Sequence, residues 1–251
     1  YGAALSMYIP VLMSLLFIKG FNKLNKIAIG ILLLLFMVGL IASYARAGWL
    51  SLVVVLFVWF TIILKIKFKT LFISFITLIS LLLMFRTEIF MILGRNNTDA
   101  EGGFANNIES ISNISTDASN LERLNRWSCA IRMWEDKPIF GWGPGTYMFK
   151  YAPYQLSSQR TIISTNFGTN GNAHSEYLGP LAEQGVLGMI GMIVLLIYIL
   201  WFGYKLAYKN YERDIKLLIL GLFFGLITYL VHGFLNNFLD TDKLSLPFWG
   251  F

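Results

Sequence analysis

Residues 27–64 read IAIGILLLLFMVGLIASYARAGWLSLVVVLFVWFTIIL, and the only charge among them is Arg46. One straight helix of that length would reach roughly 57 Å at 1.5 Å per residue, far beyond the ~30 Å hydrocarbon core of a bilayer. The small and polar residues Ser43-Tyr44-Ala45-Arg46-Ala47-Gly48 interrupt the run near its middle. The stretch is therefore expected to fold as a tight helical hairpin, two membrane-crossing helices with Arg46 at the tip.

Further apolar runs flank the hairpin at 1–18, 70–85, 185–204 and 215–233, and another begins after Pro247. Hydrophobic residues make up 56% of the 251 and charged ones 14%, against about half and a quarter in a soluble domain. The expected fold class is an all-α polytopic membrane protein. Residues 1–85 would be transmembrane helices, 86–184 a long, partly helical extracytoplasmic loop, and 185–251 transmembrane helices with the last one truncated. The chain opens on Tyr1 rather than a methionine, so it is expected to be an excerpt of a longer protein; no cleavable signal peptide is visible. A single cysteine, Cys129, allows no internal disulfide, and no Cys/His spacing resembles a metal site.

The net charge of +6 has a topological origin. Linkers 19–26, 65–69 and 205–216 carry ten lysines and arginines against only Glu212 and Asp214, while the rest of the chain holds ten basic and twelve acidic residues. These three linkers fall on alternate turns and are expected to be cytoplasmic by the positive-inside rule. Arg46, the loop 86–184 and the segment 234–246 are then external. The basic balance thus points to membrane orientation and to no nucleic-acid partner.

About a hundred residues are too many for a mere connection. Residues 94–120, rich in Asn, Ser, Thr, Asp and Gly, read as irregular, and 121–184 read as folded. Leu121, Leu124, Trp127, Ile131 and Trp134 form one stripe at helical spacing, with Arg123 and Arg126 on its flank. Pro138 ends that helix, Gly141-Trp142-Gly143-Pro144-Gly145 forms turns, and the aromatics Tyr147, Phe149, Tyr151 and Tyr154 follow. The aromatics at 142–154 suit sugar rings or lipid tails, and equally a membrane-interface belt.

Four residues stand out chemically. Arg46, a cation at an external tip, is either an arginine snorkelling to headgroups or an anion site, since a guanidinium holds phosphate with two parallel hydrogen bonds. Arg123 and Arg126 form either a solvated helix face paired with Glu122 or more of the same phosphate site. His174, just outside the membrane, is either a structural hydrogen-bonder or a general base. Glu176 is too close in sequence to orient it by helical pairing, and His232, the other histidine, reads as structural. Arginines and a histidine at the bilayer surface suit chemistry on a lipid-linked phosphate. A transporter of lipid-linked glycan using the same charges is the alternative from another class; a flippase would be expected to bury charge inside its spans, and here the spans are nearly free of it, which favours surface chemistry. A membrane anchor displaying a binding loop would leave the tip arginine without a reason.

These residues also form blocks. Arg123-Leu-Asn-Arg-Trp127, then Ala130, Pro138 and Phe140-Gly-Trp-Gly-Pro-Gly145, with Trp127 eleven residues before Pro138, resembles the signature of the O-antigen ligase/polymerase superfamily. Asn172-Ala-His174-Ser-Glu-Tyr-Leu178, with Glu183-Gln-Gly-Val-Leu-Gly188, is similar to its second block, and Ser43-Tyr-Ala-Arg46-Ala-Gly-Trp49 to its first. Two positions depart from the pattern: Ala45 stands where Ser commonly precedes the arginine, and Ser175 where Asn often follows the histidine. The resemblance implies a GT-C-like, metal-independent, inverting glycosyltransferase of the bacterial inner membrane. Its donor would be a glycan on undecaprenyl diphosphate. Its acceptor would be a lipid A core for a ligase, a growing glycan for a polymerase, or protein serine or threonine for some relatives. Arg46, Arg123 and Arg126 would hold the diphosphate at the periplasmic face and His174 would be the base, with no cofactor.

Overall fold

The computed structural model of the chain describes residues 1–84, 118–161, 164 and 171–251. Most of the stretch 94–120, expected to be irregular, lies outside the described residues. Helices α1 (Gly2–Leu16), α2 (Lys23–Ala42), α3 (Arg46–Ile63), α4 (Phe68–Met84), α5 (Ala118–Asp136), α6 (Tyr147–Lys150), α7 (Leu178–Tyr208), α8 (Arg213–His232) and α9 (Asp242–Gly250) follow in chain order. No strand occurs among the described residues. Helices α2, α3, α7 and α8 are long and apolar enough to cross a membrane. The chain is an all-α, multi-pass membrane protein.

The 27–64 run reverses direction at three residues, Ser43 to Ala45, but the hairpin is open rather than tight, because both of its helices pack on α1 and not along each other. Tyr44 adopts φ 49°, a left-handed conformation that bends the chain sharply. Ser43 Oγ donates to the Leu40 carbonyl at 2.8 Å and so occupies one of the acceptors left open at the end of α2. Arg46 is the first residue of α3 and is exposed.

Helix α1 is the bundle's hinge pin, packed against α8, α2 and α3. Its contact with α8 is antiparallel and close. A Cβ on Gly225 would lie 2.7 Å from the Met7 carbonyl oxygen, and one on Gly221 would lie 2.2 Å from Ser14 Oγ. Small residues permit such approaches where apolar burial alone drives little association. Outward-facing Leu34, Leu35, Phe57, Ile190 and Val194 stay exposed, as a lipid-facing surface requires.

The three basic linkers gather at one end. Asp214 Oδ2 accepts the backbone N–H of Lys19 at 3.1 Å, and the Tyr204 hydroxyl donates to the Ile66 carbonyl at 2.6 Å. The opposite, distal end holds the start of α1, the α2–α3 turn and the end of α8. Gly2 abuts Ala45, Ala3 packs with Tyr229, and the Tyr229 hydroxyl donates to the Glu176 carboxylate. Helix α7 is broken at Gly185, whose φ of 66° and ψ of −165° are not helical. From residue 186 to Tyr208 it still reaches ~35 Å, enough to span.

Candidate active site

Four pieces of chain meet at the distal end: α5, the loop 171–177, the first turns of α7, and the segment 233–239 after α8. Helix α5 ends where Pro138 forbids continuation, and its inward face is Glu122, Asn125, Arg126, Cys129, Ala130 and Met133. The stripe expected from apolar periodicity is not this face. Leu124 and Ile131 are exposed, and the inward face is instead half polar. Its apolar part joins Tyr147, Tyr151, Ala173 and Ala182 in one small core.

Arg126 is only 5% exposed, not on a solvated face. Its Nε donates to Glu122 Oε1 at 2.6 Å, one helical turn back, and its guanidinium lies 4.1 Å over the Tyr151 ring. A Cβ on Gly171 would come within 2.4 Å of Arg126 Nη1, so only glycine lets that backbone close over the pair. Burial works to raise the Glu122 carboxyl, but bonds from Ser164, Arg126 and Thr161 outweigh it and hold it below the usual range. The same Glu122 bond, against burial, raises Arg126. The buried ion pair thus has its remaining acceptors occupied, which is what makes burying it tolerable.

Arg123, one turn before Trp127, points toward the end of α8, and its Nε donates to the Leu235 carbonyl at 3.3 Å. His174 is half-buried between these elements. Its backbone takes φ 49°, held by its own N–H donating to Asn172 Oδ1 at 3.1 Å and by Trp127 Nε1 donating to its carbonyl at 3.3 Å. Strained backbone of this kind persists only where surroundings enforce it. Burial, then the charges of Arg123 and Arg126, push the imidazole down to about 4, with Glu122 opposing. It is therefore neutral at physiological pH.

Of the four residues expected to act together, Arg123, Arg126 and His174 lie within electrostatic reach of one another. Arg46 lies at the same end of the bundle, beside the start of α1. His232 is buried, with Nε2 3.3 Å from Asn236 Nδ2. No group of three or more His, Cys, Asp or Glu side chains suited to a metal occurs among the described residues.

Sequence reasoning missed the two acids that hold the site's frame. Glu176 turns away from His174; its Oε1 accepts from the Tyr229 hydroxyl and from the N–H groups of Phe238 and Leu239, the latter at 2.6 and 2.9 Å. Glu183 accepts from the Gly145 and Tyr147 N–H groups at 2.8 and 2.9 Å. Their only sequence signal is an acid inside an apolar neighbourhood, which must find donors. The glycine-rich turn serves the same frame. A Cβ on Gly141 would meet the Glu183 carbonyl at 2.4–2.5 Å, and one on Gly185 the Ile139 oxygen at 2.3 Å. Both residues have positive φ. The two sequence blocks therefore interlock backbone to backbone.

The family model described as O-antigen ligase matches residues 30–193, which include Arg46, Arg123, Arg126 and His174. No curated protein and no solved structure matches the chain. With the match running through both hairpin helices and on to the first turns of the membrane segment of α7, the chain belongs to the O-antigen ligase family, whose activity is of the glycosyltransferase type.

Proposed function

We propose that this protein transfers a glycan from undecaprenyl diphosphate to a sugar hydroxyl at the periplasmic surface of the bacterial inner membrane, with His174 as general base. The observation that carries this reading is an imidazole kept neutral beside two guanidiniums at the distal end of the bundle. A neutral imidazole can accept a proton, and guanidiniums are the side chains best suited to a diphosphate.

In the proposed reaction the acceptor hydroxyl loses its proton to the His174 ring as its oxygen attacks the anomeric carbon. The bond from that carbon to the diphosphate oxygen breaks on the opposite face, which inverts the centre. Negative charge grows on the departing diphosphate, where Arg46 and Arg123 are the direct partners. Each such donor is worth ~3 kcal/mol in the transition state. Arg126, enclosed by Glu122 and Tyr151, contributes its charge and holds the 171–174 loop rather than reaching outward. Proton removal by the histidine adds about 10²–10⁴-fold. The leaving group is good enough that the reaction needs no metal.

The test is complementation of a deletion strain, scored on gels. His174→Ala and Arg46→Ala should each abolish transfer while the protein remains in the membrane. Near-normal product from either variant removes that residue from the mechanism. The product lost identifies the acceptor: all long-chain glycan on lipid A for a ligase, all but a single repeat for a polymerase, glycoprotein bands for a protein transferase.

A further inference from the structure

The feature left unused by the catalytic reading is the apolar stripe of α5. Its inward face is already filled, yet Leu124 and Ile131 on the other side are 39% and 41% exposed. Trp127 and Trp134 border them on the same side of the helix. The stripe continues into the turn after the helix, where Ile139 and Phe140 are 57% and 76% exposed.

Both ends of this helix are tied to places where the chain meets the membrane. At its start, Arg123 bonds to Leu235, three residues beyond the end of α8. At its end, the Pro138 carbonyl accepts from Trp134 Nε1 at 3.2 Å and from the Val186 N–H at 2.8 Å, and the Ile139 carbonyl from the Leu187 N–H at 3.4 Å. Residues 186 and 187 are the first of α7 beyond its break, where its spanning part begins. The segment of α7 before the break runs beside α5 between the same two points, since Tyr177 bonds to the Leu230 carbonyl and Ala182 packs with Ala130 and Met133. A helix of 19 residues, ~28 Å long, strung between the ends of two spans lies along the bilayer surface rather than rising from it.

We propose that α5 is an interfacial helix whose exposed stripe, with the Ile139–Phe140 turn, inserts into the headgroup–acyl boundary of the bilayer. The side opposite the stripe is covered by the folded loop, and the aromatic and aliphatic residues of the stripe, flanked by Ser128 and by the exposed Glu135, match the apolar side of helices that lie in this layer. Because Trp127 on the stripe holds the His174 carbonyl, seating α5 also fixes the height of the His174 loop over the membrane. The Phe140 turn is fastened to the first spanning residues of α7, so bilayer lipid is the medium that reaches it without any partner protein.

The experiment uses the full chain in phosphatidylcholine vesicles. Ile131→Cys and Phe140→Cys are labelled separately with a polarity-sensitive fluorophore. Ser158→Cys, exposed on the loop that covers another side of α5, is the reference. The native Cys129 is fully buried, with its thiol pushed up by burial to about 11, and labels slowly. Lipid carrying a nitroxide near the top of the acyl chain should quench the 131 and 140 labels at least about twofold more than the 158 label, as expected for side chains at ~5–10 Å depth. Equal quenching at all three sites overturns the proposal. So does self-quenching at 131 that rises with protein density in place of lipid quenching, since it would mean that another copy covers the stripe. No catalytic step enters this measurement, so its failure would leave the transfer reaction standing.

Discussion

Replacing Arg123 should move the titration of a single histidine in a direction and to an extent that the structure fixes. His174 is pushed from an ordinary 6.5 to about 4, with burial the largest cause, Arg123 next and Arg126 after it. That displacement corresponds to about 3 kcal/mol against the protonated ring. Removing the Arg123 charge removes the second cause only, so in Arg123→Gln the value should rise yet remain below 6.5. Arg123→Lys, which keeps the charge, should stay near the wild-type value. The chain has two histidines, so isotope-labelled imidazole signals followed by NMR in detergent micelles give two titrations. The one absent from His174→Gln belongs to His174. Inorganic pyrophosphate added to the wild type should raise the His174 value, because it offsets the guanidinium charge. A wild-type value at 6.5 or above refutes the reasoning, and so does an Arg123→Gln value that is unchanged or lower.

Other outcomes follow from the same contacts. Between about pH 6.5 and 4 the unfolded chain binds a proton that folded His174 refuses, so stability should fall with pH across that window; denaturation curves of His174→Gln should lack this component. Glu122→Ala leaves the buried Arg126 without its carboxylate and should cost about 3–5 kcal/mol, read as a drop in Tm in detergent. Gly185→Ala places a methyl against the Ile139 carbonyl at φ +66° and should cost more than ~1 kcal/mol, with faster proteolysis in the 137–146 turn as the readout. Glu183→Ala leaves the part-buried Tyr147 N–H without its acceptor and should destabilise by about 1 kcal/mol, read as a drop in Tm in detergent, whereas the exposed Gly145 N–H can turn to water.

The membrane fold was legible because its signal is local. A largely apolar run of 38 residues with one charge at its middle is too long for one span and requires a turn, and Ser43, Tyr44 and Ala45 supply it next to Arg46. The orientation of α5 was not, because helical periodicity reveals that an apolar face exists but not what medium it meets. Leu124 and Ile131 satisfied the pattern and still face outward, while the inward positions include Glu122, Asn125 and Arg126, which only their long-range partners make acceptable. Arg126 was visible as a cation and Glu122 as its neighbour one turn back. Tyr151 and Gly171, which enclose it, come from distant segments that no spacing rule connects to it. Glu176 is too close in sequence to pair with His174 along a helix, and its carboxylate faces elsewhere, to residues 53 and more positions away. Gly141 is legible as a turn former and Gly185 as part of a family block, but the reason each must be glycine lies in the backbone of the opposite block, Glu183 and Gln184 for Gly141 and Ile139 and Phe140 for Gly185.

A histidine held near 4 is a poor base by the usual criterion that catalytic pKa match ambient pH. In the proposed reaction that deficit belongs only to the empty site. Two of the causes that depress it are guanidinium charges, and a diphosphate drawn to those guanidiniums offsets both. Binding of the donor would therefore raise the basicity of the imidazole at the moment when a proton has to be taken, while the empty protein keeps the ring unprotonated and available. Burial, the third and largest cause, does not depend on those charges, so the donor relieves only part of the depression. The buried Glu122–Arg126 pair then gains a purpose beyond packing. Its bond to Glu122 and its stack on Tyr151 keep one of the two charges at a fixed distance from His174, so that the change in basicity depends on the arrival of an anion and not on the wandering of a long side chain.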